Sequence, residues 1–183
     1  MISARTGGIG MSFKNALEVL ESRIERFDEV RSKSIKSVSR SRATAFDSIY
    51  EVLNKVASLV RSMSQLESSL AHNVGYTRVC GNGVLVKTKD GSAFMKFKPL
   101  RVVAYSSSTN TVKLSYGNVS IEVAGDSITV TLGKLSQSLR YLDPADIANN
   151  AAAYNALLSR VIAIPDELSR TISFCAKAIG VKL

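Results

Sequence analysis

The chain has 183 residues, of which 45% are hydrophobic and 21% are charged, and its formal net charge is +9. This length predicts one domain, or one domain with an arm, because domains average ~150 residues. No apolar run is long enough for a transmembrane helix. The first ten residues also lack the apolar segment of a signal peptide, so we expect a cytoplasmic protein. The positive excess favours a nucleic acid, an anionic membrane surface or an acidic protein as partner.

Residues 12–75, which follow an expected flexible arm at 1–11, carry two apolar seams with the helical period of three and four. The first seam consists of Phe13, Leu17, Leu20, Ile24 and Phe27, and the second of Phe46, Ile49, Leu53, Val56, Val60, Met63 and Leu70. No Gly or Pro interrupts this region before Gly75, which favours one long helix, continuous or bent. A helical hairpin, broken in the serine-rich segment 31–45, is the alternative.

Apolar seams of this length need a partner, because large apolar patches are rarely left in water. The partner is either the chain's own C-terminal helices or a second copy of the chain, as in a coiled coil. The first functional hypothesis is therefore a non-enzymatic assembly or adaptor protein that forms a homo-oligomer through these seams.

Residues 76–133 predict an antiparallel meander of six strands, preceded by a short strand over 76–80. Asp90-Gly91, Gly117-Asn118 and Gly125-Asp126 are typical two-residue hairpin turns, and they fix the register on both sides. The expected pairs are Lys87–Phe94, Leu85–Lys96, Val103–Leu114, Tyr105–Val112, Val112–Val123, Leu114–Ile121, Val123–Ile128 and Ile121–Val130. In this register, Ile121, Val123 and Val130 are buried.

Residues 134–183 predict C-terminal helices that pack on the preceding parts. One or two helical turns are expected over 134–142. Asp143-Pro144 is a good helix start, with Asp as cap and Pro at the first position, and that helix is expected to run to about residue 163. Pro165 begins the last helix and Gly180 ends it. The predicted fold is thus α+β: a long amphipathic N-terminal helix (or helical hairpin), a six-stranded antiparallel β-meander and a C-terminal helical pair.

The sequence shows no constellation typical of catalysis. His72 is the one histidine and has no cysteine near it, so we expect a structural role. His and Cys are too few and too scattered for a metal site, and no glycine-rich loop predicts a nucleotide cofactor. We therefore expect no catalytic residue, metal or cofactor. A small enzyme with an unrecognised site is a third hypothesis.

A basic segment without acids lies between Glu29 and Asp47. Its cations are Arg31, Lys33, Lys36, Arg40 and Arg42. On a continuous helix Arg26 would share one stripe with Lys33, Lys36 and Arg40, and such a stripe can follow the phosphates of a nucleic acid. The alternative is a solvated stretch that merely separates the two seams.

The first predicted hairpin carries a second group of cations. The expected register places Lys87, Lys89, Lys96 and Lys98 on one surface, together with Phe94 and Leu85. Cations that alternate with an aromatic residue on a sheet can bind single strands by charge and stacking. Alternatively, a helix covers the apolar pair and the lysines protect an edge strand. The second functional hypothesis is a nucleic-acid-binding protein that uses the basic stripe and this hairpin face.

Cys80 and Cys175 lie far apart in the sequence. Two buried thiols are one interpretation. The other is a disulfide that ties the start of the sheet to the last helix, which would fit an intracellular protein of a hyperthermophile.

Overall fold

The computed structural model describes residues 11–70 and 73–183, which form an α+β fold with helices packed on one face of a single antiparallel sheet. The expected arm (apart from residue 11) and His72 lie outside the described residues. The helices are α1 (Ser12–Ser34), α2 (Arg40–Ser68), α3 (Pro144–Asn149), α4 (Ala151–Ser159) and α5 (Ala163–Ala178). The strands are β1 (Gly75–Cys80), β2 (Gly83–Lys87), β3 (Ala93–Phe97), β4 (Arg101–Ser106), β5 (Thr111–Tyr116), β6 (Val119–Ala124), β7 (Ser127–Leu132) and β8 (Leu135–Arg140). Among the described helices, none combines the length and the apolar character needed to cross a membrane.

The N-terminal region is a helical hairpin rather than the single long helix that the sequence favoured. Helix α1 ends at Ser34, whose hydroxyl donates to the Val30 carbonyl at 2.7 Å, and the Ser37 hydroxyl donates to the Ser34 carbonyl at 3.2 Å. Such local side-chain hydrogen bonds compete with helix continuation. Arg31 then holds the two helices together, because its Nε donates to Asp47 Oδ1 across the turn at 3.0 Å.

Both apolar seams are covered by the chain itself. The seam residues that are 0% exposed are Phe13, Leu20, Phe27, Phe46, Ile49, Leu53, Val56, Val60 and Met63. Leu17, Ile24 and Leu70 are partly buried against the same core. The two seams are out of phase by one residue, and the turn between the helices allows both to face the core. The seams therefore offer no large apolar surface to a second copy.

The sheet has eight described strands in sequential order, so the prediction of six was too low. The six expected strands are β2–β7, the expected short lead-in strand is β1, and β8 was not anticipated. The predicted pairs at the later turns are confirmed, including Val103–Leu114, Leu114–Ile121 and Ile121–Val130. Ile121, Val123 and Val130 are at most 1% exposed. The turn chemistry therefore predicted the buried face of this half correctly.

The predicted register of the first hairpin was wrong by one residue. Lys87 pairs with Ala93 and Leu85 with Met95, so the connection is longer than a two-residue turn. Asp90 is not among the residues with positive φ, and Gly91 alone adopts it here, with φ 89°. A type I′ turn needs positive φ at both central positions. Instead, the Thr88 hydroxyl and the Ser92 amide donate to Asp90, which closes a longer loop and lowers the pKa of that carboxyl.

The C-terminal region differs from its prediction in two places. Residues 135–140 form strand β8 instead of helical turns, because Gly133, with φ 66°, reverses the chain and its amide donates to the Asn118 carbonyl. Asp143 caps the next helix as expected, its side chain accepting from the Asp146 amide. That helix is interrupted at Asn150, so three short helices replace the predicted pair among the described residues.

A disulfide joins Cys80, at the end of β1, to Cys175 in α5. The two Cα atoms are 5.4 Å apart, within the usual range for such a bond. The bond ties the sheet edge to the last helix, across a sequence separation of 95 residues.

Candidate nucleic-acid interface

The face of the sheet that the helices leave uncovered, here called the open face, has a regular pattern of side chains. One row across the strands consists of Tyr76, Val86, Phe94, Ala104, Lys113, Glu122, Thr129 and Ser138. The next row consists of Arg78, Val84, Lys96, Val102, Ser115, Ser120, Thr131 and Ser136. Aromatic and basic side chains are therefore concentrated on β1–β5, and hydroxyl groups on β5–β8.

Five residues of β1–β5 form what we call the aromatic–cation surface: Tyr76, Arg78, Phe94, Lys96 and Lys113. Tyr76 is 65% exposed and Phe94 is half-buried, while the three cations are exposed. Tyr76 and Phe94 lie in the same row, separated only by Val86 on the strand between them. Neighbouring strands are ~4.8 Å apart, so the two rings are roughly 10 Å apart across the sheet. Arg78 and Lys96 belong to the adjacent row.

A shallow groove of about 580 Å³ continues this surface over β3–β6. Its floor includes Phe94 and Ala104, and Lys113 and Glu122 stand opposite each other within it. Hydroxyl groups form its rim, from Thr88, Ser92, Ser106, Thr109 and Thr111. Ligand sites of this size typically combine an apolar floor with a few polar groups that fix orientation. The lining of the groove thus includes two aromatic side chains, Phe94 and Tyr105, with several hydroxyls, one cation and one acceptor carboxylate.

The residues of the predicted lysine hairpin face are separated by the structure. Phe94 and Lys96 lie on the open face, Lys98 is exposed just after β3, and Lys89 is exposed in the turn. Lys87 and Leu85 lie on the covered face, where they are 3% and 1% exposed. The one-residue register error explains the difference, because side chains alternate between faces along a strand.

Lys87 belongs to a buried ion pair that the sequence did not predict. Its Nζ lies 2.7 Å from Glu67 Oε2, and the two side chains are 2% and 0% exposed. Glu67 also accepts hydrogen bonds from the amides of Ser12 at 3.2 Å and Phe13 at 2.9 Å. These are free N–H groups of the first turn of α1, so Glu67 caps that helix from the end of α2. The pair therefore connects α1, α2 and β2.

The predicted basic stripe does not lie on one helix, because α1 ends at Ser34 and α2 begins at Arg40. Three of its members, together with Arg42 of the same basic segment, are exposed near the turn, and we call these four residues the hairpin tip: Lys33, Lys36, Arg40 and Arg42. Arg26 is exposed on α1 and lines a separate concave surface with Tyr105. Arg26 and Lys33 lie about two turns apart on the same side of α1, whereas Arg40 and Arg42 lie on α2.

Arg31 is occupied by contacts within the protein. Its guanidinium bonds Asp47 and Asp28, at 3.0 and 3.1 Å, and lies 4.5 Å from the centre of the Tyr50 ring. Burial lowers its pKa, but these two carboxylates outweigh that effect and the pKa is raised. Arg31 therefore holds the two helices of the hairpin together, and the carboxylates of Asp28 and Asp47 offset the positive charge that it could offer to a ligand.

The described residues contain no group of three or more His, Cys, Asp and Glu side chains placed to hold a metal ion. No protein-family model matches the chain, and comparisons with curated proteins and with solved structures gave no match. The functional argument consequently rests on the chemistry of the surfaces.

Four members of the surface and its groove were missed at the level of sequence: Tyr76, Arg78, Lys113 and Glu122. The signal for Lys113 and Glu122 was present, because the expected pairs on either side of them, Val112–Val123 and Leu114–Ile121, imply that Lys113 lies opposite Glu122 on the face away from the core. Extending the rows to β1 requires the correct register of the first hairpin. The error at Asp90-Gly91 therefore concealed Tyr76 and Arg78.

Proposed function

We propose that the protein binds single-stranded nucleic acid on its open face, without catalysing a reaction. The observation that carries the proposal is the alignment of two accessible aromatic rings in one row with two cations in the next. Aromatic side chains on a sheet stack on bases, and a basic groove follows the phosphates. The net charge of +9 adds long-range attraction for a polyanion.

The geometry indicates how a strand would be bound. Tyr76 and Phe94 are too far apart to stack on adjacent, mutually stacked bases, so each ring would receive a base from a strand held extended across β1–β3. Arg78 and Lys96 would contact the phosphates between these bases. A third base would enter the groove, where Lys113 and Glu122 offer a donor and an acceptor to its edge.

An unpaired strand fits this surface better than a duplex does. Duplex recognition uses a helix or a two-stranded ribbon that enters the major groove. The open face is broad and its groove is shallow, and the rings are available only to bases that are not already paired and stacked. We therefore expect weaker binding of a duplex of the same sequence.

Fluorescence anisotropy with labelled single strands of DNA and RNA tests the proposal. We expect Tyr76→Ala and Phe94→Ala each to weaken binding by about tenfold, because stacking contributes ~1–3 kcal/mol per base. Phe174→Ala is the matched control, since Phe174 is 78% exposed on α5, away from the open face. Equal affinities for all three variants and the unmodified protein would refute the proposal.

The salt dependence gives a second, independent measurement. Each phosphate contact that is lost should reduce the slope of log affinity against log salt by ~0.7 for a single strand. We expect this reduction for Lys96→Gln. Lys177→Gln, which removes an exposed cation from α5, should leave the slope unchanged.

The hairpin tip is a second candidate contact for the same strand. Its four exposed cations lie in the acid-free segment between Glu29 and Asp47. Arg31 lies in the same segment but forms ion pairs with Asp28 and Asp47. Helix α1 begins beside the buried pair at β2, and its 23 residues span ~35 Å. Only a long strand would reach both areas. Changing Lys33, Lys36 and Arg40 together to Ala should therefore weaken binding of long strands only, and unchanged binding would remove the tip from the proposal.

Self-association through the helical seams is not carried forward, because their side chains are buried within one chain. A cytoplasmic location remains part of the proposal. The Cys80–Cys175 disulfide agrees with it in a hyperthermophile, where intracellular proteins are disulfide-rich. Free-thiol titration of protein taken directly from cells would test whether this disulfide forms there, and two free thiols per chain would contradict a disulfide in the cell.

A further inference from the structure

Strand β8 forms one edge of the sheet and lacks the usual protection of an edge. No strand lies beyond it in the part of the chain that the structure describes. Residues 135–138 are exposed, including Leu135 at 77%, and no Pro, bulge or charge interrupts them. The opposite edge, β1, carries a bulge between Arg78 and Cys80 and is tied to α5 by the disulfide. Natural proteins protect edges in such ways because an open edge pairs with other strands.

The sequence of β8 is its own complement in antiparallel pairing. Residues 135–139 read Leu-Ser-Gln-Ser-Leu, which is a palindrome centred on Gln137. We propose that β8 pairs with β8 of a second copy of this chain across a two-fold axis at Gln137. Leu135 would then face the partner's Leu139, Ser136 the partner's Ser138, and Gln137 the partner's Gln137.

The backbone hydrogen bonds agree with this register. The Tyr141 amide donates to the Asp126 carbonyl, and this pair continues the β7–β8 ladder. Hydrogen-bonded pairs alternate in an antiparallel ladder, so the backbone groups of Ser136 and Ser138 point to the open edge. The proposed register uses the groups of these two serines from each copy, which gives four new main-chain hydrogen bonds.

A register shifted so that the two-fold axis lies at Ser138 is disfavoured, because it would use the amide of Arg140. That amide already donates to Asp146 Oδ2 at 3.2 Å. The shift would also place Leu139 opposite the partner's Gln137 and leave Leu135 uncovered. The palindrome and the occupied amide therefore select the same pairing.

Charges at the ends of the strand complement each other. Asp126 and Asp143 lie 3.8 Å from the Arg140 guanidinium, and Asp146 accepts from its amide. Two carboxylates beside the guanidinium and a third at the backbone amide leave an excess of two negative charges at Arg140. In the proposed register Lys134 of the second copy lies opposite Arg140, and this negative excess offsets the repulsion between the two cations.

Pairs of hydrogen-bonded hydroxyls join β7 and β8 on the open face, and this hydroxyl ladder would continue into the second copy. Ser136 Oγ lies 2.8 Å from Thr131 Oγ1, and Ser138 Oγ lies 2.7 Å from Thr129 Oγ1. Pairing of Ser136 with the partner's Ser138 would join the two ladders. The dimer would have one continuous sheet of sixteen strands, with both open faces on the same side.

Sedimentation velocity from micromolar to millimolar concentration tests the proposal. We expect a monomer–dimer equilibrium that Leu135→Lys weakens about tenfold, because a charged side chain on an edge strand disfavours pairing with another strand. Leu100→Lys is the matched control, since Leu100 is 68% exposed outside β8. A monomer at every concentration, or open-ended polymers, would overturn the proposal.

Cysteine cross-linking tests the register directly. In the proposed register Gln137 lies opposite Gln137 of the second copy, as a non-hydrogen-bonded pair. The two Cα atoms of such a pair approach to ~4.5 Å, which is within disulfide range. Gln137→Cys should therefore form a covalent dimer on mild oxidation. Ser136→Cys should do so only when mixed with Ser138→Cys. Equal cross-linking of Gln137→Cys and Ser136→Cys alone would refute the two-fold register.

Discussion

Removing the ammonium of Lys87 should destabilise the protein far more than removing an exposed cation does. Lys87→Met retains the length and the apolar stem of the side chain but leaves the fully buried Glu67 carboxylate without this ammonium at 2.7 Å. Breaking one partner of a buried ion pair costs ~3–5 kcal/mol, because a charge remains buried and uncompensated. For a chain of this size the melting temperature should fall by about 6–20 °C.

The matched control is Arg61→Met, which removes a cation 3.1 Å from Glu21 in a pair whose side chains are 49% and 52% exposed. Exposed pairs contribute only ~0–1 kcal/mol, so this variant should unfold close to the unmodified protein. Urea unfolding at neutral pH measures both free energies. Equal losses for Lys87→Met and Arg61→Met would refute the reasoning.

The double variant Glu67→Leu with Lys87→Met separates the charge from the helix cap. It buries no charge, so most of the stability lost in Lys87→Met should return. The amides of Ser12 and Phe13 would still lose their acceptor, and the loss of a cap costs ~0.5–2 kcal/mol.

Three further predictions concern stability. Gly83→Ala should cost ~1–3 kcal/mol in urea unfolding, because the added Cβ would lie 2.7 Å from Cε1 of the buried Phe97 ring; an unchanged midpoint would contradict the close packing. Reduction of the Cys80–Cys175 bond, which closes a loop of 95 residues, should lower the free energy of unfolding by about 4–5 kcal/mol in the chain-entropy model. Cys80→Ser cannot form this bond, so an equal loss when the reductant is added to that variant would point to another cause. Burial raises the pKa of Tyr141 from 10.0 to about 12. The stabilisation that the protonated Tyr141 hydroxyl gives the folded state is therefore present below pH 10.0 and is lost as the pH rises to about 12. Tyr141→Phe should therefore lose less stability over that pH range, and parallel curves would contradict the assignment.

Turn chemistry predicted the sheet correctly at two connections that are true two-residue loops, but it missed the two-residue loop Gly133-Lys134 that leads into β8. Tyr116 pairs with Val119 around Gly117-Asn118, and Ala124 pairs with Ser127 around Gly125-Asp126. The alternating strands that flank these turns gave the same answer, so local and global signals agreed. Around Asp90-Gly91 they could not be compared, because β2 reads Gly-Val-Leu-Val-Lys and has no clear alternation.

The missed elements have a common physical cause, which is that polar segments carry a weak periodic signal. Strand β8 has a single buried residue, Leu139, and its other positions are exposed. The alternation that identifies a half-buried strand was therefore absent. The turn between the N-terminal helices was predicted only as the alternative to one long helix, because no Gly or Pro marks it and serine weakens a helix only mildly.

The candidate site was predicted in part. Phe94 and Lys96 lie on the open face, whereas Lys87 was expected there and instead pairs with Glu67 on the other side of the sheet. A lysine at the end of an apolar strand is ordinarily exposed. Its burial depends on a carboxylate twenty residues earlier in the chain, and no local pattern reports that contact.

The covalent ring closed by Cys80 and Cys175 contains strands β2–β8 together with α3 and α4. Tension applied to the two ends of the polypeptide would pass through the sulfur atoms, so the 95-residue segment between them would carry no load. Pulling the oxidised molecule would extend only the N-terminal helices, β1 and the last few residues. A protease that cuts once inside the ring would likewise leave one covalently linked molecule, whose two fragments separate only after a reductant is added.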